Sequence, residues 1–203
     1  MSKNWLREHR QDSYYRKAKQ EGYRSRAAFK LYQINQKFRL MRKGNMVIDL
    51  GAAPGGWSQV ALEIVGDEGM VVGIDIDSIR PMPGAEFIRG DMLAIDAMDR
   101  LREKIDKADV IISDMSPNIS GNYTVDQAKS VYLAMKALKV VDAFLKPGGN
   151  FIVKIFEGED FPEYIEDLHK KFEFVKVYSP PASRAQSSEV YVICKGYLID
   201  IIV

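Results

Sequence analysis

From residue 46 onward the chain alternates two patterns: short β-branched apolar runs that stop at Gly, Asp or Pro, and longer segments of helical period. That alternation is what βαβ units require, because two parallel strands need a crossover long enough to hold a helix. Strands are expected near Met46–Leu50, Met70–Asp75, Glu86–Arg89, Val110–Asp114, Asn150–Phe156, Phe174–Tyr178 and Glu189–Lys195. Helices are expected near Trp57–Val65, Asp99–Ile105, Thr124–Leu145 and Pro162–Lys171, with Lys146-Pro-Gly-Gly stopping the long one. Residues 179–188, which join the last two strands, are too few and too rich in Pro and Ser for a helical crossover, so those strands should run antiparallel. The expected fold is therefore α/β, a doubly wound seven-stranded sheet, mostly parallel with one antiparallel strand. The reversal brings Glu189 to the edge where the parallel strands end, and ligands bind at that edge in such sheets.

Upstream, Ser25–Lys37 reads as a helix whose Ala27, Leu31, Ile34 and Phe38 form an apolar stripe, docking it on the sheet. At 203 residues and 46% hydrophobic composition, one domain over 1–203 is expected. The single cysteine, Cys194, excludes an internal disulfide framework or a four-ligand zinc site, and no metal is expected. No segment reaches the roughly 18 apolar residues that cross a bilayer, and the first ten lack a signal-peptide core, so a cytoplasmic protein is expected.

The net charge of +1 hides an asymmetry. Residues 1–43 hold 13 Lys and Arg against 3 Asp and Glu, whereas the remainder holds 16 against 25. The basic segment also carries Trp5, Tyr14, Tyr15, Tyr23, Phe29 and Tyr32. Cations mixed with aromatics suit a phosphate backbone and unstacked bases, so RNA is the expected partner; a merely solvated helical face is the bland alternative.

Val47-Ile-Asp-Leu-Gly-Ala-Ala-Pro-Gly-Gly-Trp-Ser-Gln reads as a strand, a glycine turn and a helix, a place where a ligand can approach bare backbone. The second glycine of a dinucleotide fingerprint is missing after Gly51, and Pro54 gives up an N–H, both of which argue against a pyrophosphate cradle. Asp75 closes the second strand, 24 residues after Gly51, where a carboxylate can accept hydrogen bonds from ribose hydroxyls. Asp91 closes the third strand, within reach of an adenine amino group, and Asp114 closes the fourth at the topological switch point. Lys154 lies inside the apolar run Phe151-Ile-Val-Lys-Ile-Phe, and a buried ammonium needs partners. Asp114, Glu189 and Lys30 are its candidate partners, giving a cluster of alternating sign; a snorkelling Lys154 and a solvent-facing Lys30 are the bland alternatives.

These residues carry a family likeness. Ser25-Arg-Ala-Ala-Phe-Lys-Leu, the glycine turn Asp49-Leu-Gly-Ala-Ala-Pro-Gly-Gly-Trp-Ser-Gln, Ser113-Asp-Met-Ser-Pro-Asn, Val153-Lys-Ile-Phe and Ser183-Arg-Ala-Gln-Ser-Ser-Glu-Val-Tyr, in that order, resemble the RrmJ/FtsJ family of RNA ribose 2′-O-methyltransferases. Within it the chain is most similar to the branch acting on a uridine of 23S ribosomal RNA. The resemblance implies a Rossmann-like class I methyltransferase fold and S-adenosylmethionine as cofactor. It also implies a catalytic tetrad at Lys30, Asp114, Lys154 and Glu189. Cofactor contacts would come from the turn residues Gly51, Gly55 and Trp57, and from Asp75, Asp91 and Asp114. A monomer capturing ribosomal RNA through residues 1–43 is expected. Three alternatives stay open: a ribose methyltransferase of transfer RNA anticodon loops, a catalytically idle RNA-binding module and a nicotinamide-dependent dehydrogenase.

Overall fold

The computed structural model describes residues 12–184 and 187–198. The first helix, α1 (Ser13–Glu21), precedes α2 (Ala28–Phe38). Then follow β1 (Met46–Leu50), α3 (Gly56–Val65), β2 (Met70–Asp75), β3 (Ala85–Arg89), α4 (Ile95–Lys104), β4 (Ala108–Ser113) and α5 (Tyr123–Phe144). The chain continues through β5 (Leu145–Phe156), α6 (Phe161–Lys171), β6 (Phe172–Tyr178) and β7 (Glu189–Tyr197).

One seven-stranded sheet runs in the order β3-β2-β1-β4-β5-β7-β6. β7 pairs antiparallel with both β5 and β6, while the pairs from β3 to β5 are parallel, which is the topology the connection lengths demanded. Strand order reverses between β1 and β4, so a crevice opens above their carboxyl ends.

Period-two side chains split the core into two layers. Ile48, Leu50, Val72, Ile111, Phe151 and Val192 pack under α4, α5 and α6. Val47, Val71, Ile112, Ile152, Tyr191 and Ile193 pack under α2 and α3. Both layers exclude water almost completely, and each buried Val, Leu or Ile contributes about 1.5–3 kcal/mol.

Local boundaries differ from expectation where tertiary pairing overrides local signals. β5 begins at Leu145 rather than Asn150, because Leu145 already pairs with Ala108 ahead of a register shift. Lys146-Pro-Gly-Gly therefore lies within the strand rather than stopping the helix. α4 begins at Ile95 rather than Asp99, anchored by buried Ala97 and Leu101 at i and i+4. α2 starts three residues later than Ser25 and ends at Phe38, with Arg39 as its left-handed cap. Residues 1–11, including Trp5 and part of the basic segment, lie outside the described residues.

Candidate active site

Four charged side chains from four elements converge at the top of the α2 face. Lys154 is on β5, opposite Tyr191 of β7, and Glu189 is two residues earlier on β7, on the same face. Asp114 follows the end of β4, next to β5. α2 crosses this face and points Lys30 into it.

The Lys154 ammonium donates to the Asp114 carbonyl oxygen at 2.6 Å and sits 3.2 Å from its Oδ1. Lys30 Nζ donates to Glu189 Oε2 at 3.2 Å. The two lysines are only 6% and 9% exposed. Moving an ammonium out of water costs several kcal/mol unless a carboxylate or other acceptor answers it, so the four groups stabilise one another as a set. Burial pushes the Glu189 carboxyl up, but Lys154, Lys30 and the Ser187 hydroxyl outweigh it and hold the group below its ordinary value. Of the three donor positions on Lys154, two face Asp114, leaving the third for an incoming oxygen.

Tyr191 completes the cluster and carried no sequence expectation. Fully buried, it donates its hydroxyl to Asp114 Oδ1 at 2.7 Å. Its ring lies 5.6 Å from Trp57 and receives the Lys30 ammonium at 5.4 Å. Burial, with the Asp114 and Glu189 charges, drives the phenol well above its ordinary value, so it remains a donor. The signal was available, because a residue two positions after Glu189 on a strand must share its face.

Beside the cluster lies a cavity of about 410 Å³, lined by Gly51, Ala53, Asp75, Asp77, Asp91 and Asp114, with Ile74, Ile76, Met92, Met115 and Leu133 as apolar walls; Asp77 carried no sequence expectation. Gly51 has φ 74°, and a Cβ there would collide with Met115, so only glycine lets the β1 turn and the β4 loop come this close. Asp75 accepts from the N–H groups of Ala53 and Asp77, both at 2.9 Å, which fixes its carboxylate at the rim. Asp91 is held by Lys136 through both oxygens at 2.8 and 2.7 Å. The Leu93 N–H and Lys136 keep it below its usual range.

Gly55 and Trp57 are not among the residues lining this cavity. Trp57 is buried, donates from Nε1 to the Ala27 carbonyl at 2.9 Å and packs at a tilt against Tyr191, so it ties α3 to α2 beneath the cluster. Gly55, at φ 107°, packs against Arg24, which bridges the carbonyls of Arg80 and Pro81 at 2.6 and 2.8 Å. That arginine therefore serves the fold, although it belongs to the basic N-terminal segment.

Asp49 also carried no expectation of its own. It is fully buried on β1, accepts from Ser58 Oγ at 2.6 Å, and its Oδ1 has no partner. Burial pushes its carboxyl up to about 7, and the nearby charges of Asp114 and Asp75 add to that.

The donor set fits S-adenosylmethionine. The four rim carboxylates, Asp75, Asp77, Asp91 and Asp114, suit ribose hydroxyls, an adenine amino group and an ammonium, and the apolar walls suit an adenine face. The one lysine on the wall is already committed to Asp91, so a phosphate would meet net negative charge. The volume falls within the usual range for small-molecule sites. Among the described residues, no cluster of His, Cys, Asp and Glu is arranged to hold a metal, and no helix is long and apolar enough to cross a membrane.

Comparison with known proteins agrees with this geometry. The chain is 46% identical over 200 residues to Ribosomal RNA large subunit methyltransferase E of Marinobacter nauticus, covering 98% of this chain and 97% of the relative. It is 49% identical over 189 residues to the enzyme of that name in Methanocella arvoryzae, covering 93% and 73%. A Plasmodium falciparum structure described as a ribosomal RNA methyltransferase superposes with a TM-score of 0.78 at 29% identity, covering 87% of this chain and 99% of the other. Aeropyrum pernix fibrillarin, solved with natively bound S-adenosyl-L-methionine, shares the fold, with a TM-score of 0.52 at 14% identity, covering 75% and 67%. The FtsJ-like methyltransferase family matches residues 23–197, and the chain belongs to that family.

Proposed function

We propose that this enzyme moves the methyl group of S-adenosylmethionine to the ribose 2′-hydroxyl of a uridine in 23S ribosomal RNA, as a cytoplasmic monomer acting on the large ribosomal subunit. The observation that carries this reading is the buried Lys154–Asp114 and Lys30–Glu189 cluster beside a cavity rimmed by four carboxylates. All four charged groups come from one chain, so a single copy is sufficient. The names of the relatives support the RNA.

When bound, the cofactor supplies an electrophilic methyl on a sulfonium. The protein's part is to position the ribose and manage one proton. Lys154 Nζ, oriented by Asp114, meets the 2′-hydroxyl at its remaining position: as the neutral amine it takes the hydroxyl proton on its lone pair, and as the ammonium it donates to the oxygen while that proton leaves to solvent and negative charge develops. Glu189 balances both lysines, and Lys30 keeps Glu189 ionised and in place. Tyr191 fixes the Asp114 carboxylate so that it neither rotates toward solvent nor leaves Lys154. Such positioning and proton handling lower a barrier by several orders of magnitude.

The test is mass-spectrometric mapping of ribose methylation after incubation with labelled cofactor and, separately, large subunits, purified ribosomal RNA and transfer RNA. One 2′-O-methyluridine in the large-subunit RNA is expected. Methylation of transfer RNA alone would replace this reading with the anticodon-loop alternative.

A further inference from the structure

A second polar cavity, about 500 Å³, lies at the opposite pole of the sheet, where the parallel strands begin. Its walls include Arg39, Arg42, Lys146 and Lys195, with Asp109 and Glu173 as the acidic members. Lys146 is paired with Asp109 at 2.8 Å, and Asp109 also accepts from the Met46 N–H at 2.7 Å, so these two charges serve each other and the sheet. Among the described residues, Lys195 donates only to the Phe38 carbonyl, at 3.4 Å. Arg39 and Arg42 are exposed and have no carboxylate partner among the described residues. Against them stand Glu173, which is exposed beside Gly196, and Asp109, which is paired with Lys146 and also feels the Arg42 charge.

The loop that presents the two arginines is held rigid. Buried Asn35 accepts from the N–H groups of Leu40 and Met41 at 2.9 and 2.8 Å. Asn150 donates to the Leu40 carbonyl at 2.8 Å, and buried Asn45 accepts from the Arg42 N–H at 2.9 Å. Arg39 is also the only non-glycine among the described residues with positive φ, 55°. A left-handed helix cap is ordinarily a glycine or asparagine, so an arginine there places a charged side chain at the expense of backbone comfort. Three asparagines and a strained cap thus pre-organise two arginines that form no ion pair among the described residues, Arg42 feeling only the charge of nearby Asp109.

α2 links this pole to the catalytic cluster. Lys30 and Phe38 are separated by about 12 Å of helical rise, and the exposed side between them carries Tyr32, Gln36 and Lys37. We propose that the cavity at Arg39, Arg42 and Lys195 is a phosphate cradle for RNA backbone, and that the substrate strand or helix lies along α2 from the methylated ribose to this pole. The inference rests on the ribosomal RNA reading above and adds a contact remote from the reacting ribose.

The experiment uses the full chain. Binding of large-subunit ribosomal RNA is measured across potassium chloride concentrations for wild type, Arg39→Gln/Arg42→Gln and Arg39→Gly, alongside kcat, the KM for RNA and cofactor affinity. Each phosphate contact contributes about 0.7–0.9 to the slope of log affinity against log salt. The double variant should lose about 1.5 from that slope, with KM rising about tenfold while kcat and cofactor affinity stay put. Arg39→Gly, which suits the left-handed cap, should keep or raise the melting temperature and still lose about half of that slope. An unchanged slope, or a fall in kcat with KM intact, would overturn the cradle. The binding arm requires no turnover, so a wild-type enzyme that binds this RNA with the predicted slopes yet fails to methylate it would remove the proposed function and leave the cradle standing.

Discussion

Tyr191 reaches Asp114 through one hydroxyl, and its ring is independently packed on Trp57, so the two roles can be separated by a single atom. Tyr191→Phe should lower kcat about tenfold, because a hydrogen bond to a charged group is worth roughly 1.5–3 kcal/mol. The ring contacts persist, so the melting temperature should move little; a large loss of stability with kcat retained would make Tyr191 a packing residue only. Asp49 gives a pH signature. Its folded-state carboxyl sits at about 7 against an ordinary 3.8, so the native state holds a proton that the unfolded chain has already released. Stability must then fall as pH rises from about 4 to 7 through this group. Thermal unfolding of Asp49→Asn should therefore lie closer to, or above, wild type at pH 8 than at pH 5, and parallel curves across that range would contradict the raised value. Lys154 and the rim aspartates Asp75, Asp91 and Asp114 were legible in the sequence, since a charge within an apolar strand and acids at strand ends announce themselves. Asp49 was not, because an acid near a glycine turn looks ordinary until burial is known; for Tyr191 its place two residues after Glu189 fixes its face, but not its hydrogen bond to Asp114. Trp57 belongs to the glycine-turn motif by position, and burial adds what position does not show: its indole N–H is engaged by Ala27 and its ring by Tyr191.

At the scale of elements, strands were read well because β-branched runs, strand ends and short connections are local signals, and β7 reversed as its connection required. Helix bounds were read less well where an apolar stripe is short or broken. α1 buries only Ala18 and depends instead on its ends. Asp12 accepts from the N–H groups of Tyr14 and Tyr15, both at 3.1 Å, and pairs with Arg26. α4 begins with Ile95 facing solvent, which hides its first turn from any periodicity. α2 is the element on which the site depends, because it brings Lys30 to the cluster at one end and is fastened to the following loop at the other. Asn35→Ala removes the acceptor for two buried N–H groups and should cost about 2–3 kcal/mol in urea unfolding. A cost below about 0.5 kcal/mol would mean that the loop is held by something other than Asn35.

For the whole molecule, the charge asymmetry of the sequence becomes a division of labour. Four aspartates line the cavity at the carboxyl ends of the strands, while α2 carries Lys30 into the charged cluster and Lys37 and its cap Arg39 toward its far end. Some cations of the N-terminal third are structural: Arg24 is bound to backbone carbonyls and Arg26 is paired with Asp12. Net charge by segment could not reveal that, because it does not say which arginine finds an acceptor within the fold. The proposed chemistry depends most on Lys154 handling the proton of a ribose hydroxyl. The direct measurement is nucleotide-resolved methyl incorporation into large-subunit RNA by wild type and Lys154→Ala, with cofactor binding followed by calorimetry. Wild type should yield one 2′-O-methyluridine, and the variant should yield none while binding cofactor about as tightly. Equal product from the variant, or methyl groups on bases rather than ribose, would contradict it.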